Sequence, residues 1–203
     1  MLRHSKAELR TRLLAARKAV PPEVRAAEAT QLTTHLNSQV SAGDTVCAYV
    51  PVGSEPGSIA MLDALVHMGV RLLLPLAVAG EPLLWSGYQP GQLARAGYGL
   101  LEPIGPRLPA VTLRDARVVI VPALAVDVRG TRLGRGAGFY DRSLPLRDPS
   151  ARLIAVVRDD ELVDELPADL HDIPMTHAAT PGGGVTVLNK FRMTPGADAG
   201  GRE

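Results

Sequence analysis

The first forty residues place apolar side chains at helical intervals between charged ones. Ser5-Lys6-Ala7-Glu8 has the form of a capping box, in which the serine caps the helix start and the glutamate reaches back. Leu9, Leu13, Ala16 and Val20 then share one stripe, which predicts a helix to about Val20. Pro21-Pro22 ends it and opens a second helix to about Gln39. Beyond residue 45 the pattern changes to short continuous apolar runs. Val46–Val50, Val70–Leu74 (ended by Pro75), Leu83–Ser86, Val118–Val121 and Arg152–Val157 read as buried strands. Helices are expected near Ile59–Met68 and Tyr140–Leu144. Continuous apolar strands alternating with helices indicate an α/β fold with a mainly parallel sheet covered on both faces.

Residues 87–110 are rich in glycine and proline and are expected to wrap the surface irregularly. Residues 182–203 combine glycine and charge with little apolar content, so a flexible C-terminal tail is predicted after a single domain over 1–181. A chain of 203 residues suits one compact core. The net charge of +1 argues against binding nucleic acid through a basic face. Three lysines stand against nineteen arginines, which makes Lys6 worth weighing individually. Cys47 is the only cysteine, so no internal disulfide forms and a reducing compartment is indicated. No signal peptide is apparent and no apolar run approaches the ~18–20 residues of a membrane span, so the expectation is a cytoplasmic protein without a membrane partner.

Candidate chemistry concentrates in Asp127–Arg142, directly after the continuous apolar run Val118–Val126. Glycines at 130, 134, 136 and 138 let the backbone turn tightly and approach a ligand. Arg129, Arg132, Arg135 and Arg142 against Asp141 give residues 129–142 a formal charge of +3. Exposed amides and guanidinium forks both suit phosphate or carboxylate oxygens, and Asp141 could hold the metal ion that accompanies a nucleoside triphosphate. The glycine spacing fits neither the dinucleotide fingerprint nor the lysine-containing phosphate loop. A structural turn therefore remains open beside an anion site, although a turn gains nothing from three interleaved like charges.

Other groups are individually weaker. Lys6 and Arg10 are neighbours on one helix face, as a solvated pair or as a cationic clamp. Glu55 follows a strand in a proline-glycine loop, where parallel-sheet proteins place ligand groups. Asp172, in His171-Asp-Ile-Pro-Met175, could join Asp141 around a metal ion. His171 and His177 lack the spacing of a helical zinc site, Ser54 and Ser58 belong to no nucleophile elbow, and Trp85 and Tyr88 read as core or pocket wall.

Together these residues resemble the 5-formyltetrahydrofolate cyclo-ligase family, in order, from Lys6 to about Thr180. Lys6 and Arg10 match its N-terminal Lys-x-x-x-Arg, and Tyr49-Val-Pro-Val-Gly-Ser-Glu55 its strand-loop with an acidic residue. Gly99-Leu-Leu-Glu-Pro103, Val121–Asp127, Gly130–Arg142, Asp172–Met175 and Thr180-Pro181 match the remaining motifs. Two positions depart from the pattern: Phe139 replaces the first of two tyrosines, and Thr176 stands where a second acidic residue is common.

The resemblance implies a three-layer αβα sandwich related to sugar-phosphate isomerases and CoA transferases. It implies a monomeric enzyme that converts 5-formyltetrahydrofolate and ATP, with Mg2+, to 5,10-methenyltetrahydrofolate, ADP and phosphate. By similarity, ATP lies along Lys6, Ala7, Glu8, Leu9 and Arg10 and along Arg132, Leu133, Gly134, Arg135, Gly136, Ala137, Gly138, Phe139 and Tyr140. The folate contacts Arg10, Val50 and Glu55 and shares Arg135, Gly136, Ala137, Gly138 and Phe139 with the nucleotide. Arg132, Arg135 and Asp141 would carry the catalysis, and Asp141 with Asp172 the magnesium. A sugar-phosphate isomerase on the same sheet, or a folate-binding protein without turnover, are the alternatives. Lys6 and Arg10 speak against the first, and Asp141 with the three loop arginines against the second.

Overall fold

The computed structural model of the protein describes residues 5–169 and 172–188. Helix α1 (Lys6–Ala19) begins as its sequence dictates: the Ser5 side chain accepts from the Glu8 amide, and the Glu8 carboxylate accepts from the Ser5 amide at 2.8 Å. Helix α2 (Pro22–Asn37) follows, with proline at its first position, where an amide hydrogen is not needed. Strand β1 (Thr45–Cys47), helix α3 (Ile59–His67), and strands β2 (Arg71–Leu76) and β3 (Leu84–Gly87) come next. Strands β4 (Leu93–Arg95) and β5 (Leu101–Pro103) form a hairpin, β6 (Val118–Pro122) returns to the main sheet, and β7 (Ala125–Asp127) and β8 (Arg132–Leu133) lead into α4 (Phe139–Ser143). Strands β9 (Arg152–Val156), β10 (Leu162–Val163), β11 (His177–Thr180) and β12 (Gly184–Val187) complete the chain.

The main sheet has seven strands in the order β12-β11-β9-β6-β1-β2-β3. Its five inner strands are parallel, and the edge strands β3 and β12 run antiparallel to their neighbours. From β1 the chain builds one side of the sheet, then returns to place β6 on the other side. The connections leaving β1 and β6 therefore diverge and leave a crevice at their carboxyl ends, the position where open α/β sheets bind ligands.

Side chains alternate across the sheet with a period of two. Val118 and Ile120 of β6 join Val46, Leu72, Ile154 and Val156 in one core, covered by Leu32 and Leu36 of α2 and by Met61, Leu62 and Leu65 of α3. Val119 and Val121 join Cys47, Leu73, Leu153 and Ala155 in the opposite core. Among the described residues that second face is covered by the short α4, 3-10 turns, loops and residues of β7 and β10, with no long helix, so the two covering layers are unequal. A smaller core under α1 packs Leu9, Leu13 and Leu14 against Leu124, Leu133 and Leu166. It supports a second sheet in the order β10-β7-β8.

Several boundaries differ from the sequence pattern. Strand β1 stops at Cys47, and Ala48–Val50 continue as buried non-strand chain into the crevice. Pro75 lies inside β2 rather than ending it, because the pairing with β1 stops at Leu73 and no partner there requires an amide hydrogen. Residues 87–110 are not wholly irregular: they contain the β4–β5 hairpin. The first part of the predicted tail is also ordered differently. Gly184–Val187 forms β12, paired with β11 on the edge of the main sheet, because its backbone satisfies a strand edge that β11 would otherwise expose. Residues 189–203, the rest of that tail, lie outside the described residues. Among the described residues no helix is long and apolar enough to cross a membrane.

Ile120 is fully buried in the central strand, so Ile120→Ala removes both apolar contact and volume. It is expected to lower the unfolding free energy by roughly 2–5 kcal/mol, read as a reduced urea midpoint at unchanged slope.

Candidate active site

Asp127, at the end of β7, is almost fully buried and organises the loop that follows. Its Oδ1 accepts from the Arg129 amide at 3.0 Å and the Thr131 amide at 2.8 Å, and its Oδ2 from the Leu166 amide at 3.0 Å. Gly130 turns the chain at φ 96°, and a Cβ there would lie 2.4 Å from the Met175 carbonyl oxygen, so only glycine fits. Met175 closes the contact by donating its amide to the Gly130 carbonyl at 2.8 Å. This pins Asp127–Thr131 and fixes where the glycine-arginine segment can go.

That segment walls a cavity of about 510 Å3 at the β1/β6 crevice, within the range of small-molecule sites. The opposite wall comes from Tyr49, Val50, Val52 and Glu55 in the turn after β1, and the far side from Glu102 and Leu101 of β5. Glu102 is held there by the Ala77 amide at 2.9 Å. Arg135 ties the two main walls together: its Nε lies 3.0 Å from Glu55 Oε1, and its Nη2 donates to the Val52 carbonyl at 3.3 Å. Glu55 Oε2 accepts from the Val52 amide at 2.9 Å, which orients the carboxylate along the wall.

Each of the other arginines has a distinct environment. Arg132 has a buried side chain that pairs with Asp141, donates to the Pro122 carbonyl at 3.3 Å, and lies 5.7 Å from the Tyr140 ring centre. Arg10 reaches across from α1 and donates through Nε to the Gly134 carbonyl at 2.9 Å. A Cβ on Gly136, at φ 97°, would meet the Arg10 guanidinium carbon at 3.4 Å, so this close approach also favours glycine. Arg142 donates to the Ala137 and Glu81 carbonyls at 3.1 and 3.3 Å and sits 5.5 Å from the Phe139 ring centre. Arg10 and Arg142 thus hold only main-chain oxygens, and their positive charge is not matched by a carboxylate among the described residues.

Lys6 lies away from the cavity wall. Its Nζ contacts Asp169 Oδ2 at 2.7 Å and Asp172 Oδ2 at 3.2 Å. Burial works against the ammonium, but the hydrogen bonds it donates to both carboxylates outweigh it and raise its pKa above the ordinary lysine value. Ala7 is exposed, Glu8 is engaged as the helix cap, and Leu9 packs into the small core. Within Lys6–Arg10, Arg10 is the residue whose side chain hydrogen-bonds the glycine loop. Asp141 and Asp172 each face a cation, and no group of three or more metal-ligating side chains occurs among the described residues. Thr176 turns its hydroxyl onto the Leu153 main chain, where it completes the end of the sheet. His171 lies outside the described residues.

Two tyrosines complete the wall. Tyr49 donates to the Pro56 carbonyl at 2.5 Å, and its pKa is pushed well up by burial and by the nearby Glu55 charge. The Tyr140 hydroxyl is buried with no hydrogen-bond partner among the described residues; burial first, then Glu55, raises its pKa and keeps it protonated across the physiological range. Arg17, which the sequence pattern did not single out, is the largest omission. It lines the cavity with its side chain 1% exposed. The signal was its place seven residues after Arg10, two helical turns along the same face.

Known proteins resemble this chain over most of its length. The model of the 5-formyltetrahydrofolate cyclo-ligase family matches residues 3–181. A protein named 5-formyltetrahydrofolate cyclo-ligase from Mycolicibacterium smegmatis is 56% identical over 189 residues, covering 91% of this chain and 97% of its own. Its Escherichia coli namesake is 29% identical, covering 81% and 94%. Among solved structures, the Aquifex aeolicus 5,10-methenyltetrahydrofolate synthetase superposes with a TM-score of 0.72 at 28% identity, over 92% of this chain and 94% of its own. The Mycoplasma pneumoniae synthetase shares the fold, with a TM-score of 0.68 at 17% identity, over 85% and 96%.

The loop anchor can be tested without any ligand. Asp127→Ala strands three main-chain donors and is expected to cost about 1–3 kcal/mol for each one left buried. Asp127→Asn keeps one acceptor and should lose less. Urea unfolding, together with proteolytic nicking within 127–142, measures both; equal stability of the alanine variant and the native protein would refute the anchoring role.

Proposed function

The chain belongs to the 5-formyltetrahydrofolate cyclo-ligase family, and we propose that the cavity between Glu55 and the glycine-arginine loop holds 5-formyltetrahydrofolate and the ATP phosphates side by side. The observation that carries this reading is the Arg135–Glu55 pair. It joins a polyphosphate-suited loop to a carboxylate suited to a heterocycle in one cavity. Arg10 and Arg142 supply guanidinium charge without carboxylate partners, so an incoming triphosphate gains charge-assisted hydrogen bonds without breaking an ion pair. Glu55, oriented by the Val52 amide, offers a bidentate acceptor for the adjacent N–H groups of a pterin edge.

In the proposed reaction the formyl oxygen takes the γ-phosphoryl group of ATP, releasing ADP. N10 then attacks the activated formyl carbon, loses its proton, and expels the former formyl oxygen as phosphate. The chain's contribution is positional and electrostatic, as phosphoryl transfer requires. Arg135 and Arg132 sit where charge develops on the transferring oxygens, and Phe139, braced by Arg142, supplies an apolar wall. Lys6, tied to Asp169 and Asp172, guards the α1 side of the loop and is read as a phosphate ligand that exchanges partners on binding.

Asp141 fits magnesium by its chemistry. It is a hard oxygen donor, about half exposed, beside the phosphate-suited loop, and magnesium needs only one or two carboxylates when phosphates supply the rest. Asp172 is the second candidate. The ion's contribution would be to offset phosphate charge. The same reading places a monomer in the cytosol, where the buried thiol of Cys47 stays free, and relates the crevice to those of sugar-phosphate isomerases and CoA transferases.

The deciding assay follows methenyltetrahydrofolate absorbance from 5-formyltetrahydrofolate with and without Mg-ATP. Product that depends on ATP supports the reading, and none from folded protein overturns it. Arg135→Ala should reduce kcat by about 10^2-fold or more with a nearly unchanged melting point, since its own side chain is 44% exposed and Glu55 keeps its hydrogen bond from the Val52 amide. Full turnover in that variant would remove Arg135 from the phosphoryl path. Asp141→Asn should raise the magnesium concentration needed for half-maximal rate; an unshifted magnesium titration would exclude it as a ligand.

A further inference from the structure

Ring closure in the proposed reaction releases the N10 proton, and an acceptor must take it. Among the described residues no histidine, lysine or cysteine lines the cavity, and its carboxylates are Glu55, Asp141 and Glu102. Glu55 is occupied on both oxygens, by Arg135 at 3.0 Å and by the Val52 amide at 2.9 Å. Asp141 is held by Arg132 and is the candidate for magnesium. Tyr49 already donates to the Pro56 carbonyl, and the Tyr140 hydroxyl is buried. Glu102 differs from all of these. Its Oε1 accepts from the Ala77 amide at 2.9 Å, while its Oε2 takes no donor from the described residues and is not sealed from solvent. The fold sets where that oxygen lies. Glu102 sits in β5 opposite Ala94 of β4, and its carboxylate ties this hairpin to the chain leaving β2. Strands β1 and β2 are parallel, so Ala77 and the turn to Glu55 leave the sheet from the same edge. Pro75, Ala77, Leu100 and Leu101 line the same cavity and are apolar, so the free oxygen is available to an N–H of the ligand.

We propose that Glu102 is the catalytic base that removes the N10 proton during ring closure. This rests on the reading that the cavity takes the folate with its pterin edge on Glu55. In a pterin, the pyrimidine N–H edge and C6, which carries N10 through a methylene, lie at opposite ends of the bicyclic ring. A ring seated on Glu55 therefore extends N10 away from that carboxylate, and the wall across the cavity is β5 with Glu102. In the step itself, the N10 lone pair forms the bond to the activated formyl carbon. The proton passes from N10 to Oε2, and the N–H electron pair stays on nitrogen. The bond from carbon to the phosphorylated oxygen then breaks with its electron pair, phosphate leaves, and the cationic methenyl bridge remains. Protonated Glu102 returns its proton to solvent. The Ala77 amide holds Oε1 throughout, and a general base needs only one free oxygen within hydrogen-bond reach.

Single-turnover kinetics of Glu102→Gln test this, because phosphoryl transfer and ring closure are read separately, as ADP in quenched samples and as methenyl absorbance. The glutamine oxygen still accepts from the Ala77 amide, but the side chain takes up no proton. ADP is expected at close to the native rate, with methenyl formation slowed by about 10^2-fold or more, the usual contribution of a general base. Dissociation constants for 5-formyltetrahydrofolate and ATP should be nearly unchanged. Should the glutamine variant fold poorly, Glu102→Ala should show the same separation of the two phases. Methenyl formation at the native rate in these variants overturns the assignment. So does an equal slowing of ADP and methenyl formation, or weakened binding of ATP or folate without separation of the phases, either of which makes Glu102 a binding group only. If the native protein binds ATP but forms neither ADP nor methenyl product from 5-formyltetrahydrofolate, the proposed function itself fails; an insensitive Glu102 in an active enzyme sinks only the present inference.

Discussion

Parallel strands impose the constraint on which the rest of this structure depends. Five neighbouring strands point the same way, so all their outgoing connections leave from one edge of the sheet. The order reverses between β1 and β6, and there the outgoing chains part instead of packing together. The turn to Glu55 leaves one lip of that gap and the path to Asp127 leaves the other. Because β6 is buried on both faces, neither lip can shift without disturbing both cores. A rigid sheet thus carries a cavity made almost entirely of loops.

Loops of this kind need their own internal order, and here charge and hydrogen bonding supply it. Asp127 collects three amides on one buried carboxylate, and Gly130 admits the Met175 carbonyl where a Cβ could not stand. The arginines then divide into two sets. Arg132, Arg135 and Arg17 are matched by Asp141, Glu55 and Glu161, which lets guanidinium groups sit in or near an apolar wall. Arg10 and Arg142 are held by carbonyls and keep their charge for an anion. Cations that look alike along the sequence are therefore differentiated in space, some neutralised by carboxylates and others held only by carbonyls around the same cavity and loop.

Legibility followed the range of the interactions. The capping box at Ser5–Glu8 and the paired prolines act within one turn, so α1 and the start of α2 could be read directly. The glycine-arginine loop was visible because its composition is local. Pro75 was misplaced as a strand end, since only the extent of β1 pairing shows that no partner needs its amide. Gly184–Val187 seemed too poor in apolar residues for the core, yet an edge strand is held by backbone pairing and needs few. Arg17 was passed over because the residue that makes it a buried group, Glu161, lies 144 positions away.

The sequence by itself determined the parallel α/β class, the helix starts, the anion-suited loop and, through its ordered motifs, the family. Those properties depend on period, composition and spacing, which act over a few residues or are preserved as a linear pattern. Tertiary structure decided which cations are neutralised, that Glu55 faces Arg135, that Lys6 meets Asp172 rather than the cavity, and that Arg17 belongs to the wall. Charge pairing and burial are properties of distance in space, and only the folded sheet brings positions 17, 55, 135 and 161 within reach of one another.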